Sequence, residues 1–172
     1  MIKVAVLTLS DKGSKGQRED TSGPAIEKLV KKIGAEAVSY DILPDEKGLI
    51  KKKLISLCKK ADLILTTGGT GVSSRDVTPD ATKEVIQYEI PGIAEAMRAA
   101  SLKKTPYAMI SRAVAGVRGE TLIINLPGSP KAVKENLSVV IPVLRHTIEK
   151  LQGSTADCAF QKDKDKKSRC HK

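Results

Sequence analysis

Hydrophobic positions alternate along this chain between two rhythms. Ile2 to Leu9 is a nearly unbroken run of aliphatic and β-branched residues, the pattern of a strand buried on both faces. Ser10 to Thr21 is polar and glycine-bearing, which predicts a loop. Ile26, Leu29, Val30 and Ile33 then recur on one helical face, opened by Ser22-Gly23-Pro24 and stopped by Gly34. Ala35 to Leu43 predicts a second strand and Pro44-Asp45-Glu46 a turn. A helix follows with Ile50, Leu54, Ile55, Leu57 and Cys58 inward. Ala61 to Thr66 predicts a third strand, which opens into a glycine-rich turn before a helix from Thr78. Pro91 begins another helix, with Ile93, Ala96, Met97 and Ala100 on one face. Pro106 to Ser111 fits either a short helical turn or an extended piece. Ala113 to Asn125 predicts two short strands joined at Arg118-Gly119. Val133, Leu137, Val140, Ile141, Leu144, Ile148 and Leu151 mark a long amphipathic helix, bent at Pro142.

Strands alternating with helices predict an α/β domain with a mostly parallel sheet. Three helices open alike, at Ser22-Gly23-Pro24, Thr78-Pro79 and Ser129-Pro130, with a hydroxyl expected as N-cap and proline in the first turn. In such sheets ligands sit outside the carboxyl ends of the strands, so the loops before these helices are expected to converge on one crevice.

The chain has 172 residues, enough for one domain plus a tail. After Gly153 periodicity is lost and Lys and Asp dominate. The expected division is a domain over 1–153 and a basic, disordered tail over 154–172. Apolar residues make up 40% but aromatic residues only 2%, so the core is aliphatic and no stacking platform for single-stranded nucleic acid is available. The net charge of +10 suits anionic ligands or nucleic acid, and equally suits lysines on solvated helix faces. Cys58, Cys158 and Cys170 have neither the number nor the spacing of a disulfide framework or a zinc site. No apolar run reaches membrane-spanning length and residues 1–10 lack the features of a secretory signal, which makes a cytoplasmic setting the expectation.

Gly68-Gly69-Thr70-Gly71 follows a strand and precedes a helix, so it can present backbone N–H groups to an anion. It matches neither the Walker loop nor the dinucleotide fingerprint, and a plain tight turn fits the glycines as well. Arg75 and Asp76 beside it suggest a phosphate and its metal ion. Asp45 and Asp76, each in a loop after a strand, suit Mg²⁺, which takes oxygen ligands and bridges to phosphates. Taken singly, Asp45 also fits a Pro-Asp turn, and Asp76 a pair with Arg75 or a cap for the Thr78 helix. Asp80 suits the dipole of that helix. Ser111 has no nearby histidine, and His146 and His171 form no triad, which argues against a Ser-His-Asp hydrolase.

Five blocks stand in the order found in one family: Leu7-Thr8-Leu9-Ser10-Asp11, Glu19-Asp20-Thr21-Ser22-Gly23-Pro24, Leu43-Pro44-Asp45-Glu46, Thr67-Gly68-Gly69-Thr70-Gly71 with Arg75-Asp76-Val77-Thr78-Pro79, and Asn125-Leu126-Pro127-Gly128-Ser129-Pro130. Over residues 2–151 the chain resembles the Mog/MoaB molybdopterin-binding family, most nearly the Mog type, the molybdopterin adenylyltransferases. The resemblance implies a three-layer αβα sandwich whose mostly parallel sheet carries a small β-hairpin. It implies the reaction of molybdopterin with MgATP to give adenylyl-molybdopterin and pyrophosphate, a homotrimer, and a molybdenum insertase that accepts the product. By similarity Asp45 and Asp76 are catalytic and hold Mg²⁺. Ser111 belongs to the substrate pocket. Gly68, Gly69, Thr70 and Gly71, with Asn125, Pro127, Gly128 and Ser129, bind phosphate or pterin, and Ser10, Asp11 and Asp20 line the same cleft. Two other readings compete: a relative that binds the pterin without adenylylating it, and a nucleic-acid-binding module, which no sequence motif supports.

Overall fold

In the computed structural model, which describes residues 1–155, three aliphatic runs form the middle of one sheet. They are β1 (Lys3–Leu9), β3 (Leu63–Thr67) and β6 (Thr121–Leu126), with β2 (Glu36–Leu43) at one edge and β5 (Ala115–Arg118) and β4 (Tyr88–Glu89) at the other. The order is β2-β1-β3-β6-β5-β4. β2, β1, β3 and β6 are mutually parallel, while β5 runs antiparallel to both β6 and β4. The hairpin expected at Arg118-Gly119 is the β5–β6 pair.

Successive strand residues face opposite sides, and each side is covered by helices. Val4, Val6, Leu63, Leu65, Leu122 and Ile124 pack against α2 (Ser22–Lys32), α5 (Pro91–Leu102) and α6 (Pro130–Leu151). Ala5, Leu7, Leu9, Ile64 and Ile123 pack against α3 (Lys47–Leu57) and α4 (Thr78–Lys83). The molecule is therefore a three-layer αβα sandwich. α6 runs continuously through Pro142, which is exposed. Among the described residues no helix is long and apolar enough to cross a membrane.

Several expectations need correction. The loop predicted over 10–21 contains a short helix, α1 (Asp11–Ser14), whose amide at Gly13 is capped by the Ser10 hydroxyl at 3.0 Å. Of the two forms left open for Pro106 to Ser111, the short helical turn is the one formed, as a 3-10 turn over Pro106–Ile110. Ile55 and Ala96 are exposed, and Ala94 takes the inward position on α5. Only Ser129 of the three expected hydroxyl caps acts as one, accepting from Ala132 N at 3.2 Å. Ser22 and Thr78 lie inside their helices, and their hydroxyls donate instead to Gly128 O (2.8 Å) and Gly68 O (3.0 Å). These bonds tie the helix starts to neighbouring loops, which a local cap cannot do. Cys58 sits half-buried at the end of α3, and burial raises its thiol pKa. Apart from Ser154 and Thr155, the expected tail, with Cys158, Cys170 and His171, lies outside the described residues.

Candidate active site at the β1/β3 switch point

From β1 the chain crosses one way to β2 and then back to β3, so the sheet order reverses between β1 and β3. A crevice forms where strand order reverses, outside the carboxyl ends. The loops before α2, α4 and α6 meet there. Thr67 Oγ1 donates to Pro127 O at 2.7 Å, joining the ends of β3 and β6, while Ser22 and Thr78 fasten the other two loops.

The glycine turn is shaped by contacts that only glycine tolerates. Gly68 (φ +97°) and Gly69 (φ +62°) are both left-handed. A methyl group on Gly68 would collide with Leu9 O; one on Gly69 would collide with Thr78 Oγ1 and lie 2.8 Å from Asp45 Oδ1. Gly68 N donates to Leu126 O at 3.3 Å. The amides of Gly69, Thr70 and Gly71 donate to no acceptor among the described residues.

Three aspartates surround this turn. Asp11 and Asp45 bond reciprocally: Asp11 N donates to Asp45 Oδ2 and Asp45 N to Asp11 Oδ1, both at 3.1 Å. Arg75 grips Asp11 with two bonds, Nε to Oδ2 at 3.0 Å and Nη2 to Oδ1 at 2.7 Å, and holds the Asp11 carboxyl below its usual range. Arg75 therefore pairs with Asp11 and not with Asp76. Asp45 Oδ1 is buried without a hydrogen-bond partner. Burial, and then the charges of Asp11 and Asp76, push its pKa up against the Asp11 amide. Asp76 Oδ2 accepts from Ser73 N at 2.8 Å, so Asp76 closes its own loop and does not cap α4.

Two clefts open on either side of the turn. The first, about 240 Å³, is lined by Thr8, Ser10, Asp20, Gly68, Gly128 and Ser129. Ser129 caps α6, so the positive end of a 22-residue helix borders this cleft. The second, about 260 Å³, is mostly apolar and is lined by Met97, Ala108 and Ile110 together with Thr70, Gly71 and Ser111. The expected residues are thus divided: Ser10, Gly68, Gly128 and Ser129 face one cleft, Thr70, Gly71, Ser111 and Pro127 the other, and Asp11, Asp45 and Asp76 lie beside the turn between them.

Two expected ligand contacts have other duties. Asn125 is fully buried; its Nδ2 donates to Thr66 and Thr82 hydroxyls and its Oδ1 accepts from Val114 N, so it knits β3, α4 and the chain before β5. Asp20 lines the first cleft, but its oxygens accept from Thr8 Oγ1, Tyr40 OH and the amides of Ser22 and Gly23. Burial raises its pKa, yet these donors outweigh burial and hold it below the usual value. In turn, burial and Asp20 push the Tyr40 phenol well above its ordinary value. Asp20 thus supplies the α2 cap that Ser22 was expected to provide.

Sequence reasoning passed over Tyr40 and Arg112. Arg112 reaches Gly71 O, Asp76 O and both oxygens of Asp80, so Asp80 serves an ion pair rather than only its helix. The single signal for Arg112 was its place after Ser111.

Among the described residues no three His, Cys, Asp or Glu side chains are grouped to hold a metal ion. Two carboxylates suffice for Mg²⁺ when phosphates and water complete its shell. The unpartnered Asp45 Oδ1, held at high charge cost beside a second carboxylate, fits a cation at this turn.

Residues 5–146 match a family model described as a probable molybdopterin binding domain. A molybdopterin adenylyltransferase of Helicobacter pylori (strain J99) is 45% identical over 157 residues, covering 89% of each chain. The solved structure of the molybdopterin biosynthesis enzyme MoaB from Thermus thermophilus is 49% identical, with a TM-score of 0.84 over 90% of this chain and 98% of that one. MoaB from Pyrococcus furiosus, described as a tungsten cofactor synthesizing protein, is 37% identical with a TM-score of 0.82, covering 88% and 98%.

Proposed function

This chain belongs to the molybdopterin-binding domain family, and on that premise we propose that it is a molybdopterin adenylyltransferase of molybdenum cofactor biosynthesis. The terminal phosphate of molybdopterin attacks the α-phosphorus of ATP. A new P–O bond forms, the bond from the α-phosphorus to the bridging oxygen breaks, and pyrophosphate leaves. The observation that carries this reading is the turn at the β1/β3 switch point, with amides of Gly69 to Gly71 unengaged and Asp45 Oδ1 unpartnered beside them.

Both reactants are anions, so the site must neutralise charge and align the attack more than move protons. The amides of the turn and the Ser129 end of α6 supply donors and a positive dipole for phosphate oxygens. Asp45 and Asp76 would hold Mg²⁺, which when bound neutralises phosphate charge and polarises the α-phosphorus. Arg75 is fixed by Asp11 and brings its positive charge to bear on Asp45. Ser111 offers a hydroxyl at the second, mostly apolar cleft, beside Thr70 and Gly71 of the turn. The working unit is residues 1–153, assembled as a homotrimer, and its product passes to a molybdenum insertase.

The test is pyrophosphate release by the purified chain with molybdopterin, ATP and Mg²⁺. Asp76→Asn is expected to keep the melting temperature within about 2 °C and to lower turnover by roughly 10²–10³-fold. Pterin binding without turnover would identify a binding-only relative instead. Binding of neither compound would overturn the reading.

A further inference from the structure

We propose that Arg112 is a positioning residue of this site: its guanidinium holds the Gly71–Asp76 loop at both ends and so aims the Asp76 carboxylate. The proposal rests on the adenylyltransferase reading for the reaction it serves, but the clamp itself stands on geometry alone.

The loop is tied within itself by short-range bonds. Asp76 N donates to Ser73 O at 2.9 Å, Ser73 N to Asp76 Oδ2 at 2.8 Å and Val77 N to Arg75 O at 3.0 Å. These fix its internal shape and not its place on the sheet. Arg75 ties the middle of the loop to Asp11, and Arg112 holds its two ends. The Arg112 backbone N–H donates to Thr70 O at 2.9 Å, its Nε to Gly71 O at 2.8 Å and its Nη2 to Asp76 O. Asp80 holds the far edge of the guanidinium, at 3.2 Å to Nη1 and 2.9 Å to Nη2.

Four of the five guanidinium N–H groups are thereby engaged. The charge is met by Asp80, so Arg112 is not disposed to grip a phosphate while it clamps the loop. It takes the carbonyl of Asp76 and leaves that residue's carboxylate for other work. Because Ser111 is its chain neighbour, one residue fastens the substrate-side serine to the acidic side of the site. A lysine ammonium is a single point and cannot span two carbonyls and a carboxylate in one plane.

The experiment compares Arg112→Lys, Arg112→Ala and Asp80→Asn with the parent chain in two measurements. In steady-state adenylyl transfer, both Arg112 variants are expected to lose about 10–100-fold in kcat, with KM for ATP and molybdopterin within about twofold and a higher Mg²⁺ concentration at half-maximal rate. In native-state hydrogen exchange, amides of residues 72–77 should exchange at least about tenfold faster in those variants while β6 is unchanged. Asp80→Asn keeps the carbonyl contacts and should lose less than about threefold in kcat. Parent-like kcat and exchange in Arg112→Lys would overturn the proposal. So would a loss in Asp80→Asn equal to that of Arg112→Ala, since the ion pair and not the carbonyl grip would then matter. If the parent chain releases no pyrophosphate, the adenylyltransferase reading fails and the positioning role fails with it, while the exchange data still decide whether the clamp exists.

Discussion

A buried carboxylate oxygen without a donor is costly, and Asp45 carries one against the glycine turn. Its pKa is raised from 3.8, chiefly by burial and then by the charges of Asp11 and Asp76. The sign follows: the folded state binds this proton more tightly than the unfolded state. The stability contributed by Asp45 is complete below 3.8 and is lost as pH rises through the raised value. Asp45→Asn removes that loss. The substituted chain should melt above the parent at pH 7, by roughly 2–4 °C for each kcal/mol relieved, with the gap closing as the pH falls toward 3.8. Adenylyl transfer should meanwhile be lost, and Mg²⁺ with nucleotide should raise the melting temperature of the parent only. Thermal melts across pH, with and without Mg²⁺, check this. A variant less stable than the parent at neutral pH would mean that Asp45 is held by favourable contacts and not by the needs of a cation.

Elements were legible in the sequence wherever burial is continuous or strictly periodic. β1, β3 and β6 are aliphatic because both faces of the sheet are covered, and α6 shows its stripe over 22 residues. α1 was not legible, since Asp11-Lys12-Gly13-Ser14 buries no side chain and carries no period. Ser22 and Thr78 do not cap because each is already the first residue of its helix; their hydroxyls donate to distant carbonyls, and at α2 the Asp20 carboxylate accepts from the first amides instead. Ion pairs between elements leave no local trace either. Glu84, just past α4, accepts from Lys47 (2.7 Å) and Lys51 of α3, and these cations lower its pKa from 4.5 to about 2. The link therefore adds stability above pH 4.5 that is lost as the pH falls through about 2. Glu84→Gln should lower the melting temperature slightly at pH 7. The difference should shrink in about 1 M salt, because Lys47 and Glu84 are solvent-exposed and Lys51 is partly so. A difference that survives both high salt and low pH would assign the effect to packing.

The whole molecule brings together residues that no window of sequence connects. Arg75 meets Asp11 across 64 positions and Arg112 meets Asp76 across 36, both through the meeting of loops at the sheet's carboxyl edge. The glycine turn, Asp45 and Asp76 were legible because their residue types are tied to backbone shape and charge, whereas the division into two clefts required the topology. The same topology sets where the folded unit ends. α6 buries Val133, Leu137, Val140, Leu144 and Ile148, and stops at Leu151 before Gly153 in the left-handed region (φ +86°). Its end is fastened to the sheet, with Gln152 Nε2 donating to Asp62 Oδ1 at 2.9 Å. A chain ended after Thr155 keeps every one of these contacts and sheds six basic and three acidic residues, lowering the net charge from +10 to +7. It should melt within about 2 °C of the parent, release pyrophosphate at the same rate, and scatter light as three chains. Earlier elution from a cation exchanger should be the one change. A drop of about 5 °C or more, or scattering as a single chain, would show that the folded, assembling unit extends past residue 155.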